Sequence, residues 1–507
     1  MSNEIEKKEE NVYVENTQED VIDSEKYERP HLGKFEEMFE GVTLPLPGSE
    51  ERKKMEKKLK RKIDISLLPM VFIMYVLNYL DRNNIAAAKL GSLEKDLNMN
   101  SSQYSTCQGV LFIGYILMSV PSNVILEKIG RPRFFIPGAM LLWGLISTCI
   151  GAVHNFGTMV FLRILLGALE APFLPGVIFY LSCWYTTREL AKRSALFICG
   201  SWLSGAFSGL IAYGVMDNMD GVRGLASWRW LFIIEGAATM FAAIVAMIIL
   251  PELPATTRWL TKQERMLGVL RMTEDAGKAD EDVTNDGETE GALYGLKLCF
   301  TDKKVLFFWV LLFSTCVAAG INTVFPTIVA SLGYGTAETY LLTAPPWVLV
   351  SITSVLNSFH SDHTGERFWH IVVGPAISLC AFIIGIATTK TAPRYVSMML
   401  LLQIYSSYSL IFTWVTNNLP RPPIKRAAAI ALINVGANIP NVFVTYFYYN
   451  GSEPHFYVGF GICMAFLAFA IFMMFVIRFH LKTLNKRMDN GETIDGMDPA
   501  TGWRFVY

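Results

Sequence analysis

Twelve apolar runs, each long enough to cross a bilayer as a helix, divide this 507-residue chain. They lie near 64–86, 104–126, 134–152, 157–183, 194–216, 228–249, 304–328, 338–359, 369–388, 395–417, 427–449 and 456–479. A spanning helix needs about 20 mostly apolar residues, because hydrocarbon offers backbone N–H and C=O groups no partner. The gaps are short except near 251–303, a charged stretch with Asp280-Glu281-Asp282 and Asn285-Asp286-Gly287-Glu288 that divides the runs six and six. Only 18% of residues are charged and 52% are hydrophobic, where a soluble domain carries about 25% charge. The expected fold is an all-α polytopic membrane protein with twelve transmembrane helices in two six-helix halves, 63-250 and 304-480. A central loop, 251-303, joins the halves, and tails 1-62 and 481-507 flank them. A net charge of −1 leaves no excess to attract nucleic acid. The eight Cys are scattered singly, without a CxxC pair, so neither a disulfide framework nor a zinc site is expected.

Residues 1–50 hold 14 acidic and 5 basic residues and no apolar core, so they read as a polar, disordered tail and not as a secretory signal. The basic run Arg52-Lys53-Lys54-Met55-Glu56-Lys57-Lys58-Leu59-Lys60-Arg61-Lys62 ends where the first apolar run begins. That position suits a cytoplasmic anchor facing anionic lipid better than a nucleic-acid patch. Lys and Arg collect in cytoplasmic loops, and an even span count puts both tails on one side. The loops sharing that side carry ten basic residues: Lys128, Arg131, Arg133, Arg188, Lys192, Arg193, Arg367, Arg421, Lys425 and Arg426. The opposite loops carry four, Lys95, Arg223, Arg229 and Lys390, so both termini are expected in the cytoplasm. The two sequons, Asn100-Ser101-Ser102 and Asn450-Gly451-Ser452, fall in loops assigned outside.

One loop is duplicated. After span 2 the chain reads Glu127-Lys128-Ile129-Gly130-Arg131-Pro132-Arg133, and after span 8 it reads Asp362-His363-Thr364-Gly365-Glu366-Arg367. In each, Gly follows the acid by three residues and a base lies within the next three. The Gly permits a tight reversal, and the base can meet a neighbour's carboxylate or helix C-terminus. Equivalent positions in two halves indicate an internal repeat, as transporters use to rock about a midplane site.

Three further stretches carry a resemblance. They are Asn78-Tyr79-Leu80-Asp81-Arg82-Asn83-Asn84-Ile85 in span 1, the span 4 segment from Leu162 through Arg163, Glu170 and Pro172 to Gly176, and Trp228-Arg229-Trp230-Leu231-Phe232-Ile233-Ile234-Glu235-Gly236 in span 6. With Pro121-Ser122-Asn123 and Leu342-Thr343-Ala344-Pro345-Pro346, they resemble the major facilitator superfamily over residues 60–485. Within it they are similar to the fungal anion:cation symporters, the allantoate, nicotinate, pantothenate and biotin permeases. Asn123 and Glu127 depart from the superfamily's loop motif, which has Gly and Asp there. Span 5 also lacks the Gly-Pro pair of the drug antiporters, which leans toward symport.

Ionisable residues inside a membrane are functional candidates by default. Asp81, Arg82, Arg163, Glu170 and Glu235 lie inside the spans, all in the first half. Asn78, Asp81 and Arg82, spaced i, i+3, i+4, read as one helix face. The resemblance implies that this face looks into a cavity. Arg82 offers a planar fork for a substrate carboxylate, the alternative being an Asp81–Arg82 pair at a helix end. Glu170 sits mid-membrane and must pair or take a proton, which makes it the proton-coupling candidate, with Asp81 next. The family's vertebrate organic-anion carriers have an Arg on span 1 and a Glu on span 4 at matching places. Arg163, seven residues before Glu170, and Glu235 read as structural charge partners.

The second half supplies neutral polar groups instead: Asn322 and Thr323 in span 7, Gln403 and Trp414 in span 10, and Asn434, Asn438 and Asn441 in span 11. Asn78, Arg82, Asn322, Gln403, Trp414, Asn434 and Asn438 are the substrate-binding candidates. Glu127, Gly130, Arg131, Arg133, Asp362, Gly365 and Arg367 are the gating-loop candidates. No Walker A loop, GxGxxG after a strand or HExxH is present, so no enzyme activity, ATP drive, cofactor or metal is expected. His360 and His363 read as solvated loop residues. The expected function is proton-coupled import of a small organic anion by a monomer in the plasma membrane. A non-transporting nutrient sensor on the same fold is the alternative.

Overall fold

The computed structural model describes residues 35, 37–280, 292–419, 423–448, 455–494 and 504–507. The Asn450 sequon, Arg421 and the acidic residues of 281–288 lie outside these residues. The chain is all-helical. Among the described residues twelve helices are long and apolar enough to span a bilayer: α1 Glu50–Leu90, α2 Ser101–Ser122, α3 Pro132–Ile150, α4 Phe156–Ser182, α5 Leu196–Asn218, α6 Ser227–Ile249, α7 Lys303–Ala330, α8 Thr336–Thr364, α9 Phe368–Ala387, α10 Thr391–Asn417, α11 Ala428–Phe447 and α12 Tyr457–Asp489. Local chemistry sets several starts. Ser49, Asn100, Asn155 and Asp302 each accept a backbone N–H from the first turn of α1, α2, α4 and α7. The sequon residue Asn100 is thus a helix cap.

The duplicated loop has one backbone geometry in both halves. Gly130 and Gly365 each end a helix in the left-handed region, with φ of 62° and 67°. Arg133 then caps the end of α6, donating to the carbonyls of Met247 and Ile248 at 3.1 and 3.2 Å. Arg367 turns back on its own loop, 3.6 Å from Asp362. Arg131 is exposed at the N-cap of α3. His360, His363's neighbour in the sequence reading, is not simply solvated: its Nδ1 meets Nε2 of His370 at 2.6 Å, and His370 Nδ1 meets Glu366 at 2.9 Å.

Four spans break in mid-course. After Glu170 the α4 helix is interrupted at Ala171-Pro172, where proline lacks the N–H that would continue the ladder. In α7 a 3-10 turn occupies Gly320–Val324, in α10 another occupies Leu402–Ser407, and in α11 the helix breaks before Pro440. Irregular backbone at membrane depth is tolerated where it lines a cavity or is packed in protein.

Both ends of the helical array lie on one face, called here the terminal face. On the opposite, far face the halves are stitched together. Tyr340 donates to the Ala87 carbonyl at 2.8 Å, Thr106 meets Tyr446 at 2.8 Å, and Gln108 donates to the Thr323 carbonyl at 2.9 Å. A Cβ on Gly109 would collide with the Val442 carbonyl, so this contact between α2 and α11 requires glycine.

The tails and the central segment depart from expectation. The basic run is not a free anchor but the first turns of α1. Arg52 is buried, and its guanidinium meets Glu56 at 2.9 Å and Glu274 at 2.8 Å. Lys60 meets Glu189 at 3.0 Å and Lys62 meets Glu264 at 2.5 Å. Glu264 and Glu274 belong to a helix, Lys262–Asp280, inside the stretch expected to be loop. Thr261 and Glu264 form a reciprocal capping box at its start, at 3.2 and 3.0 Å. Its apolar side holds Phe39 against Met266 and Leu270, so residues 37–49 are not the disordered tail expected. Charge alternation had a partner that hydropathy could not show. After α12, Phe505 is buried and Asn485 exchanges two hydrogen bonds of 2.9 Å with its backbone.

Burial raises the Glu189 carboxyl, but Arg271, at 2.5 Å, and Lys60 outweigh it and hold the group below its ordinary value. The sign follows: this contribution is complete above the ordinary carboxylate value of 4.5 and is lost as pH falls through the lowered value. Arg271→Ala is expected to destabilise the first half by about 1–3 kcal/mol at neutral pH, between exposed and fully buried pairs. Thermal unfolding in detergent measures this, and the deficit against wild type should shrink on acidification below that range.

Candidate functional site

Three of the four helix breaks, those of α7, α10 and α11, meet at a central cavity of about 120 Å³. The first half contributes Tyr79, Arg82 and Asn83 from α1, Gln108 from α2, Arg163 from α4 and Trp202 from α5. The second half contributes Cys316, Asn322 and Thr323 from α7, Tyr405 and Tyr408 from α10, and Asn438 and Asn441 from α11. One wall is cationic and the other is aromatic and amide-bearing. A cavity between the two halves with a few convergent polar groups suits a small molecule.

Arg82 is the centre of the cationic wall. Its Nε donates to Oε2 of Glu170, and its guanidinium lies over the rings of Tyr79 and Tyr115, 5.2 and 4.8 Å from their centroids. Glu170 is fully buried, and its second oxygen, Oε1, accepts no hydrogen bond. Asn78 stands beside Glu170, so the structure makes it a neighbour of the carboxylate and not a cavity group. Arg163 donates from Nε to the Cys107 carbonyl at 3.1 Å and from Nη2 to Gln108 at 3.4 Å. Its Nη1 is buried without a partner. A cation read as structural therefore lines the cavity and keeps one buried, unsatisfied donor.

Asp81 does not share the face of Arg82. Its two oxygens accept from Ser147 of α3 at 2.7 Å and Thr239 of α6 at 2.9 Å. Consecutive helix residues project about 100° apart, so with Arg82 facing the cavity Asp81 faces α3 and α6. Glu235 lies on that same side, away from the cavity.

In the second half, Asn322 and Asn438 line the cavity. Asn434 sits a turn deeper, where its carbonyl and side chain receive the Asn438 amide at 2.9 and 3.4 Å. Gln403 is buried outside the cavity and accepts from Thr353 at 2.7 Å. Trp414, expected to bind substrate, does not line the cavity. Its indole N–H donates to the Val506 carbonyl at 2.7 Å, and its ring packs on Phe308 and Phe368 near the terminal face. Arg394, just outside the expected tenth span, is buried in the first turn of α10 and holds Ser331 at 3.1 and 2.9 Å. Sequence reasoning misses Tyr79, Gln108, Trp202, Tyr405 and Tyr408. The one available signal was the apolar-flanked tyrosine pair around Ser406-Ser407. Glu127's side chain lies outside the described residues. Among those residues no group of three His, Cys, Asp or Glu is placed to hold a metal.

A model of the Major Facilitator Superfamily matches residues 71–445. The chain belongs to the Major Facilitator Superfamily. An uncharacterized transporter of Schizosaccharomyces pombe is 32% identical over 479 residues, covering 92% of this chain and 95% of the relative. A putative tartrate transporter of Agrobacterium vitis is 34% identical over 322 residues, 63% of this chain and 68% of the relative. Among solved structures, the partially occluded, inward open xylose transporter of E. coli superposes with a TM-score of 0.63 at 17% identity, over 82% of this chain and 97% of that one. That likeness speaks for the superfamily fold. Together with the spans, membership makes this an integral, multi-pass membrane protein of a transporter superfamily.

Proposed function

We propose that this superfamily member is a proton-coupled importer of a small organic anion, of the anion:cation symporter type. It works as a monomer in the plasma membrane by alternating access, with the terminal face in the cytoplasm. The observation that carries the reading is the Arg82–Glu170 pair at the cavity wall, with Arg163 beside it. A substrate carboxylate entering the cavity competes with Glu170 for the Arg82 fork. Glu170, losing its cation in a buried site, takes up a proton. Arg163 Nη1 gives the anion a second donor, while Asn322, Asn438 and Asn441 orient the remainder against Tyr405, Tyr408 and Trp202. The substrate class is a carboxylate such as nicotinate, pantothenate, biotin, allantoate or tartrate. The test is uptake of these labelled acids by cells expressing the chain, at acidic and neutral external pH. Saturable uptake of at least one, stimulated by acid, is expected. Surface expression without uptake of any would favour the nutrient-sensor reading.

Alternating access also requires the far-face stitching to open and close. Gly109→Ala is expected to block closure, because its Cβ meets the Val442 carbonyl. Transport should fall by at least about tenfold, as a closure lost by 1–2 kcal/mol implies. Impermeant maleimide applied to the far face should label the cavity residue Cys316 faster than in wild type, with Cys316→Ser as the blank.

A further inference from the structure

Behind the cavity wall, on the side of α1 remote from the substrate, lies a second polar cluster. Asp81 and Asn84 of α1 face Thr239 and Glu235 of α6, one helical turn apart on each helix, with Ser147 of α3 alongside. Every one of these side chains is buried, Glu235 at 2% exposure and Asn84 at 0%. Asp81 is satisfied by two hydroxyl donors. Glu235 and Asn84 are not: both carboxyl oxygens and both amide atoms lack a well-formed hydrogen bond, though the two groups are adjacent.

The four orphaned atoms constrain the chemistry. An ionised carboxylate only accepts, so it can satisfy the Asn84 N–H but leaves the Asn84 carbonyl empty. A protonated carboxyl has one donor and one acceptor, the exact complement of an amide, and the two can close a ring of paired hydrogen bonds that satisfies all four. Charge points the same way. The titratable neighbour on α1 is Asp81, itself acidic, and Glu170 lies beyond it; α3 and α6 present Ser147 and Thr239, while the α6 cation Arg229 is turned to the Gly151 and Val153 carbonyls and the α3 cation Arg133 to the Met247 and Ile248 carbonyls. Two adjacent buried carboxylates without a cation are strongly disfavoured.

We propose that Glu235 binds a resident proton and is held as a neutral acid paired with Asn84, fastening α1 to α6 behind Arg82. This proton is separate from any that Glu170 handles in the cavity, and the proposal stands whether or not the chain transports an anion. Glu235 is a positioning residue and not a charge partner.

The test is an infrared difference spectrum of purified protein at neutral pH, wild type against Glu235→Gln. Loss of a protonated-carboxyl carbonyl band is expected. In Asn84→Ala that band should shift to higher frequency, because its donor is gone. Glu235→Gln should fold, reach the membrane and melt within about 2 °C of wild type, since an amide reproduces the neutral acid's shape and hydrogen-bonding pattern. Loss of carboxylate bands instead would overturn the proposal, whether the charge is balanced by a bound sodium ion or otherwise. Failure of Glu235→Gln to fold would overturn it equally, because removing a bound proton's acid in favour of its neutral isostere should be tolerated.

Discussion

Replacing Arg82 with alanine is expected to lower anion uptake on the order of 10²-fold or more while the protein still reaches the membrane. The size follows from truncating one partner of a desolvated, hydrogen-bonded charge pair, about 2–5 kcal/mol. Two effects combine. The substrate loses its fork, and Glu170 is left buried without the guanidinium that now holds its Oε2. Arg82→Lys separates them. A point charge still neutralises Glu170 but does not offer two parallel N–H groups, so affinity should fall by about tenfold while expression and pH dependence survive. Uptake kinetics on membranes with matched protein amounts measure both. Wild-type affinity in Arg82→Ala would leave Arg82 only a structural role.

The second large effect is expected at Glu170. Glu170→Gln mimics the protonated acid, frees Arg82 permanently and removes the titrating group. Accumulation against a gradient, driven by protons, should vanish. Exchange of substrate across the membrane should persist, because loading and alternation no longer wait for a proton. External acidification should stimulate the wild type and leave the variant flat. Concentrative uptake with normal pH dependence in Glu170→Gln would move the proton site elsewhere. Asp81 would be next, although its two hydroxyl partners lie behind the cavity wall.

The twelve spans are legible in the sequence because length and apolarity are properties of single segments, and hydrocarbon enforces both. The charge asymmetry is legible for the same reason. Arg82, Arg163 and Glu170 stand out against an apolar background, and the structure gathers them on one side of the cavity. Azimuth and depth are much harder to read. Asp81 and Arg82 are adjacent in sequence and point to different neighbours. Asn78 shares the pattern with Arg82 yet stands beside Glu170 and not in the cavity. Trp414 lies on the same span as Gln403, but its indole is taken up by the Val506 backbone near the terminal face, a partner that sequence spacing does not reveal. In the 3-10 turn at Leu402–Ser407 side chains three apart eclipse, so Tyr405 and Tyr408 share the cavity side while Gln403 lies outside it. The terminal-face ion network is illegible for a related reason. Each charge has a plausible solvated role alone, and only the docking of Lys262–Asp280 on α1 pairs them.

In the proposed mechanism a shared cation makes substrate binding and proton binding one linked event, and linkage is reciprocal. The direct measurement is proton uptake on substrate addition. Purified protein in weakly buffered detergent, with a pH indicator, would be titrated with the carboxylate identified by the uptake screen. Wild type is expected to take up close to one proton per substrate bound near neutral pH, and Glu170→Gln none while still binding. Equal proton uptake in both proteins, or none in the wild type, would contradict the competition of substrate and Glu170 for Arg82.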